Sequence, residues 1–111
     1  MGSLEAAIMG ELWARPDGST PADVHAALDS DLAYTTVMTI LTRLWKKGLA
    51  DRERRGRAFV YRATVSEAEL AARRMGRVLA QASDRRAALT EFVSDLSTTD
   101  SEVLRALLDL R

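Results

Sequence analysis

Cysteine is absent, and histidine occurs once, at His25. The first absence excludes disulfides, thiolate metal sites and a catalytic thiol. The second excludes a histidine-based metal cluster. No phosphate-cradling glycine loop and no nucleophile elbow is present. The carboxylates are scattered along amphipathic stretches and read as solvated. The expectation is a protein that is not an enzyme and needs no cofactor. Long apolar runs are also missing, and the opening MGSLEAAIMGELW carries acids where a leader would be basic. Neither a signal peptide nor membrane insertion is expected, and the lack of cysteine suits a reducing, cytoplasmic setting.

A charge excess of either sign is lacking too: 16 Lys and Arg balance 16 Asp and Glu. The balance conceals a segregation. Residues 1–30 hold one Arg against five acids, whereas residues 31–62 hold eight Lys and Arg against three acids. Residues 63–111 hold seven Arg against eight acids. The middle third is thus a basic block, as a polyanion-facing surface or an arginine-rich solvated face would be. A hydrophobic content of 47% in 111 residues excludes wholesale disorder and allows one or two small domains.

Residues 3–14 place Leu4, Ala7, Ile8 and Leu12 at helical spacing, with Ser3 as N-cap, and Arg15-Pro16-Asp17-Gly18 ends the run. Thr20 as N-cap, Pro21 and Asp23 open a short helix that stops near Ser30. Tyr34 to Lys47 forms a third helix ended by Gly48, with Val37, Ile40, Leu41 and Leu44 on one side. Leu49 to Arg62 reads as a hairpin turning at Arg55-Gly56-Arg57. From Ser66, with Glu69 at the capping-box position, the pattern is helical, with breaks near Ser83-Asp84 and at Ser97-Thr98-Thr99. The fold class is mainly α with a small β-hairpin. A winged helix-turn-helix domain over residues 1–65 precedes a helical dimerisation domain over residues 66–111.

In a winged helix the third helix enters the major groove. Its outward face here holds Thr35, Thr39, Thr42, Arg43 and Lys46, with Thr36 at the margin. Threonine hydroxyls donate or accept, threonine methyls meet thymine methyls, and arginine grips guanine bidentately. Threonine is a mediocre helix former, so four on one short helix suggest a purpose beyond solubility. The hairpin tip, Arg52 to Arg57, would contact phosphates, although exposed arginines also protect a strand edge. Trp13, Trp45 and Tyr61 read as core or boundary residues. The C-terminal third carries Leu70, Val78, Leu79, Leu89, Phe92, Val93, Leu96, Leu104, Leu107 and Leu108, more apolar surface than three short helices can bury. A second copy would cover it. A self-contained three-helix subdomain is the alternative. For the whole chain, the alternatives are a winged-helix module that binds protein without binding DNA, and a ligand-sensing regulator with a pocket between its domains.

The run Leu32 to Leu49, LAYTTVMTILTRLWKKGL, resembles the third helix of the BlaI/MecI family of penicillinase repressors. Glu11-Leu12-Trp13, Val24-His25-Ala26-Ala27-Leu28, Gly56-Arg57-Ala58-Phe59-Val60-Tyr61 and, more loosely, Ala88 to Val93 resemble it too. The resemblance implies a homodimer that binds an inverted-repeat operator and blocks transcription of β-lactam resistance or stress genes. By position it assigns DNA contacts to Thr35, Thr36, Thr39 and Arg43, and wing contacts to Arg54, Arg55 and Arg57. In some members a membrane-bound sensor protease triggers cleavage in the dimerisation domain, and the matching bond here is Glu91-Phe92. A copper-responsive branch uses a cysteine motif that this chain lacks.

Overall fold

The computed structural model describes residues 3–28 and 31–110. Its elements, in chain order, are α1 (Ser3–Ala14), α2 (Pro21–Ala27), α3 (Tyr34–Lys46), β1 (Ala50–Arg55), β2 (Ala58–Ala63), α4 (Glu67–Gln81), α5 (Arg85–Asp95) and α6 (Thr98–Asp109). Helix α1 already includes Ser3, so the residue expected to cap it is its first helical one. Helix α2 ends at Ala27 with Leu28 as C-cap, and Ser30, where the sequence places its end, lies outside the described residues.

Local chemistry accounts for the boundaries. Thr20 and Asp23 form a reciprocal capping box, Asp23 N–H to Thr20 Oγ1 at 3.1 Å and Thr20 N–H to Asp23 Oδ2 at 3.0 Å. Helix α3 closes in a Schellman motif. Gly48 takes φ +78°, its N–H donates to Trp45 O, and the Leu49 N–H donates to Leu44 O. Strands β1 and β2 pair antiparallel with Arg55 opposite Ala58, so the loop is Gly56-Arg57. Gly56 has φ +62° and no non-glycine residue described has positive φ, the sign pattern of a type II′ hairpin turn. Ser19 exchanges two backbone hydrogen bonds with Tyr61 and adds a one-residue bridge to the outer edge of β2. Gly18, at φ +113°, lets the chain pass: a Cβ there would run into Val60 Cγ1.

The chain divides into two compact units, Met1–Leu70 and Ala71–Arg111. The division falls after Leu70 rather than after Val65, because Val65 and Leu70 are both 6% exposed in the core of the first unit. That core joins Ile8, Met9 and Leu12 of α1 to Val24 of α2, the four buried residues of α3 (Val37, Ile40, Leu41 and Leu44), and Tyr61. Trp13 Nε1 donates to Val65 O at 2.8 Å and ties α1 to the segment before α4. The first unit is a winged helix-turn-helix.

The second unit differs in kind. Helix α4 starts in the first unit, capped reciprocally by Ser66 and Glu69; within the second, Asp84 caps α5 and Ser97 caps α6. Because the Ser97 hydroxyl takes the Asp100 N–H, Thr98 and Thr99 are helical, where the sequence reading has a break. Yet α5 and α6 bury no residue.

Candidate nucleic-acid interface

Helix α3 is amphipathic. Val37, Ile40, Leu41 and Leu44 are buried, and this anchors the opposite face outward. Thr35, Thr39, Arg43 and Lys46 are exposed, and Thr36 and Thr42 are half-buried. Thr35, Met38, Thr39, Thr42, Arg43 and Lys46 line one shallow depression along the helix. The Thr39 hydroxyl donates to Thr35 O at 2.9 Å, so toward a base it offers its methyl group and acceptor lone pairs. Ahead of the helix, His25 Nε2 lies 2.8 Å from Leu32 O and its ring stands edge-on to Tyr34, fixing the entry into α3.

Under the basic face lies a carboxylate that the sequence reading did not single out. Glu5 of α1 has a side chain only 9% exposed, 3.3 Å from Lys47 Nζ and 3.6 Å from Arg43 Nη1. It holds two of the cations at the C-terminal end of α3. Glu5 sits one turn before Met9 on the buried side of α1, so in sequence it reads as an ordinary first-turn acid. Its partners are set by how α1 crosses α3.

The wing arginines have distinct environments. The Arg52 guanidinium is 3.7 Å from the centroid of Trp45 and 4.1 Å from that of Phe59, and it donates to Tyr61 Oη at 3.4 Å. Arg52 therefore joins the end of α3 to the hairpin. The register explains this: Arg52 opposes Tyr61 and Arg54 opposes Phe59, so all four share one face of the ribbon. Arg54 lies 5.6 Å from the Phe59 centroid and is exposed. Arg55 Nε donates to Glu53 Oε1 at 2.9 Å, and this hydrogen bond and charge, with Arg62 adding a smaller share, hold the Glu53 carboxyl below its usual range. Arg57, in the turn, is exposed.

The residues expected at a dimer face are distributed unevenly. Leu70 belongs to the core of the first unit, because α4 packs its first turn there. Leu79, Leu96 and Leu104 are half-buried, whereas Val78, Leu89, Phe92, Val93, Leu107 and Leu108 are 44–69% exposed. Met75, Val78, Leu79, Ala88, Leu89 and Phe92 line an apolar groove between α4 and α5. Glu91 and Phe92 lie inside α5, both exposed. Among the described residues no helix is long and apolar enough to cross a membrane.

The chain was compared with known proteins. The family model described as penicillinase repressor matches residues 1–110. The Mycobacterium tuberculosis protein named transcriptional regulator BlaI is 44% identical, over 97% of this chain and 82% of that protein. Among solved structures, the DNA-binding domain of the repressor BlaI superposes with TM-score 0.56 at 28% identity, covering 62% of this chain and 85% of that one. The Staphylococcus aureus MepR–DNA complex gives TM-score 0.56 at 26% identity, covering 87% of this chain and 82% of that one.

Proposed function

The chain belongs to the penicillinase repressor family, and from that premise we propose how this DNA-binding transcriptional repressor engages its target. A homodimer sets one α3 of each protomer into successive major grooves of an inverted-repeat operator, and the bound dimer blocks transcription. The supporting observation is the outward row of Thr35, Thr39, Thr42, Arg43 and Lys46 on a helix whose other side is locked in the core. Thr36 lies at the edge of that row. Arg43 reads a guanine, the threonines read neighbouring base edges, and Arg54, Arg55 and Arg57 take phosphates flanking the groove.

The first unit carries the DNA contacts, and the helices beyond Leu70 supply dimerisation. Helices with no buried residue and with Phe92, Val93, Leu107 and Leu108 about half exposed need a partner surface, and a second copy supplies one of the same chemistry. Two-fold symmetry then matches the operator's palindrome. Acting on chromosomal DNA, the protein works in the cytoplasm, and β-lactam resistance or stress genes are its targets. Release follows cleavage at Glu91-Phe92 when a membrane-bound sensor protease is activated. That bond is helical, so α5 must open locally before it enters a protease cleft.

Binding of the full chain to its own upstream promoter fragment and to a scrambled fragment, across a salt series, tests this reading. The expected result is preference for the promoter at two protomers per site, with affinity falling by a log–log slope of about −0.9 per phosphate neutralised. Equal, salt-insensitive binding to both fragments would overturn it in favour of a winged helix that binds protein.

A further inference from the structure

Three large apolar side chains of α3 are exposed: Tyr34 at 42%, Met38 at 43% and Trp45 at 37%. Two have partners. Tyr34 meets the His25 ring edge-on, and Trp45 carries the Arg52 guanidinium. Met38 has no such ring or cation contact among the described residues. It flanks the outward row on the side of Trp45, about 40° from Thr42 and about 60° from Thr35 at 100° per residue. The same shallow depression holds Met38 with the threonines and with Arg43 and Lys46. A flexible, polarizable thioether left uncovered beside a cationic, hydroxyl-rich row is free to make an apolar contact with whatever that row meets.

We propose that Met38 is a specificity-determining residue that reads thymine through its 5-methyl group. The inference rests on the DNA-reading function of α3 stated above, and it identifies an apolar element in that reading. In the major groove the thymine methyl is the one apolar group that base edges present. Arg43 and Lys46 draw the phosphates and purine acceptors to this face, and the hydroxyls serve polar edges. Met38 is left facing whatever in the groove cannot hydrogen-bond. Its unbranched side chain can follow a methyl group through small changes of approach, which suits a contact made in each half of a symmetric site.

The test uses the full chain and the duplex it selects from a randomised pool. That duplex is compared with a copy in which every thymine is replaced by uracil, which removes the methyl and leaves the hydrogen-bonding edges unchanged. Binding by the unaltered chain should weaken about fourfold for each methyl lost from contact, hence about fifteenfold for one in each half-site. Met38→Ala should bind the thymine duplex more weakly and should lose that share of its sensitivity to uracil, whereas Met38→Leu should keep it. Any thymine contact made by the threonine methyls cancels in this cycle. Equal sensitivity in the unaltered chain and Met38→Ala would overturn the assignment while leaving DNA reading intact. Selection that enriches no sequence would overturn the DNA-reading function, and this inference with it.

Discussion

At the scale of single residues, the interface depends on who holds each cation. Arg43 is the residue best suited to a guanine, yet its Nη1 is 3.6 Å from a carboxylate that also binds Lys47. Glu5 therefore restrains the rotamers of Arg43 before DNA arrives, and it opposes indiscriminate attraction of phosphate. Arg43→Ala should cost about 1–3 kcal/mol of specific binding. Glu5→Gln should have a different signature: tighter binding to scrambled DNA, weaker discrimination, and a steeper salt dependence. Titrations of both fragments at two salt concentrations separate the two effects, and an unchanged ratio in Glu5→Gln would deny Glu5 this role. Arg43 was legible in sequence from its place on the polar face. Glu5 was not, because nothing local to α1 tells a solvated first-turn acid from one crossed by another helix.

At the scale of elements, a stacked arginine bridges α3 and the wing. Arg52 lies against Trp45 at the end of α3 and against Phe59 of β2. If stacking is its task, Arg52→Lys keeps the charge but loses the planar contact, so lysine and alanine variants should weaken promoter binding alike without changing the salt slope. A phosphate-binding arginine would instead be rescued by lysine and, in the alanine variant, would lower the slope by about one. Helix α2 has its own signature. Hydrogen bonds from Thr20, the backbone N–H foremost, with Arg15 adding a smaller share, hold the Asp23 carboxyl below its usual range. A lowered folded value means that the stability Asp23 contributes is fully present above the unfolded carboxylate range and is lost as pH falls through the folded value. Urea unfolding at descending pH should show Asp23→Asn insensitive to that part of the acid limb.

At the scale of the whole molecule, the two units obey different economies. Met1–Leu70 encloses a core in which Ile8, Met9, Val24, Val37, Leu41 and Leu44 have no exposed surface. Ala71–Arg111 holds the rest of α4 with α5 and α6, and their apolar faces are open to solvent. Phe92→Asp places a charge on that open face without touching the winged-helix core. It should convert the proposed dimer to monomer in sedimentation and lower promoter affinity, because the second half-site would no longer bind intramolecularly. A Phe92→Asp chain that still sediments as a dimer would place the interface elsewhere. A cut after Val65 is a poorer test, since it strips Leu70 from the core of the first unit.

Periodicity and end chemistry, both local in sequence, determined the helices, their caps, the Gly48 terminus, the Gly56 turn and the outward row on α3. Each follows from spacing along one segment, through the 3.6-residue repeat, side-chain caps or a backbone angle only glycine adopts readily. The resemblance at Leu32 to Leu49 supplied the family for the same reason, being a contiguous motif. Tertiary structure alone decided that Leu70 serves the first core, that Glu5 grips Arg43 and Lys47, and that Arg52 stacks while Arg57 stays exposed. It also left Met38 uncovered where Tyr34 and Trp45 found partners. Those outcomes depend on crossing angles and strand register between segments far apart in the chain, Glu5 and Lys47 being 42 residues apart, and no local pattern encodes which side chains then meet.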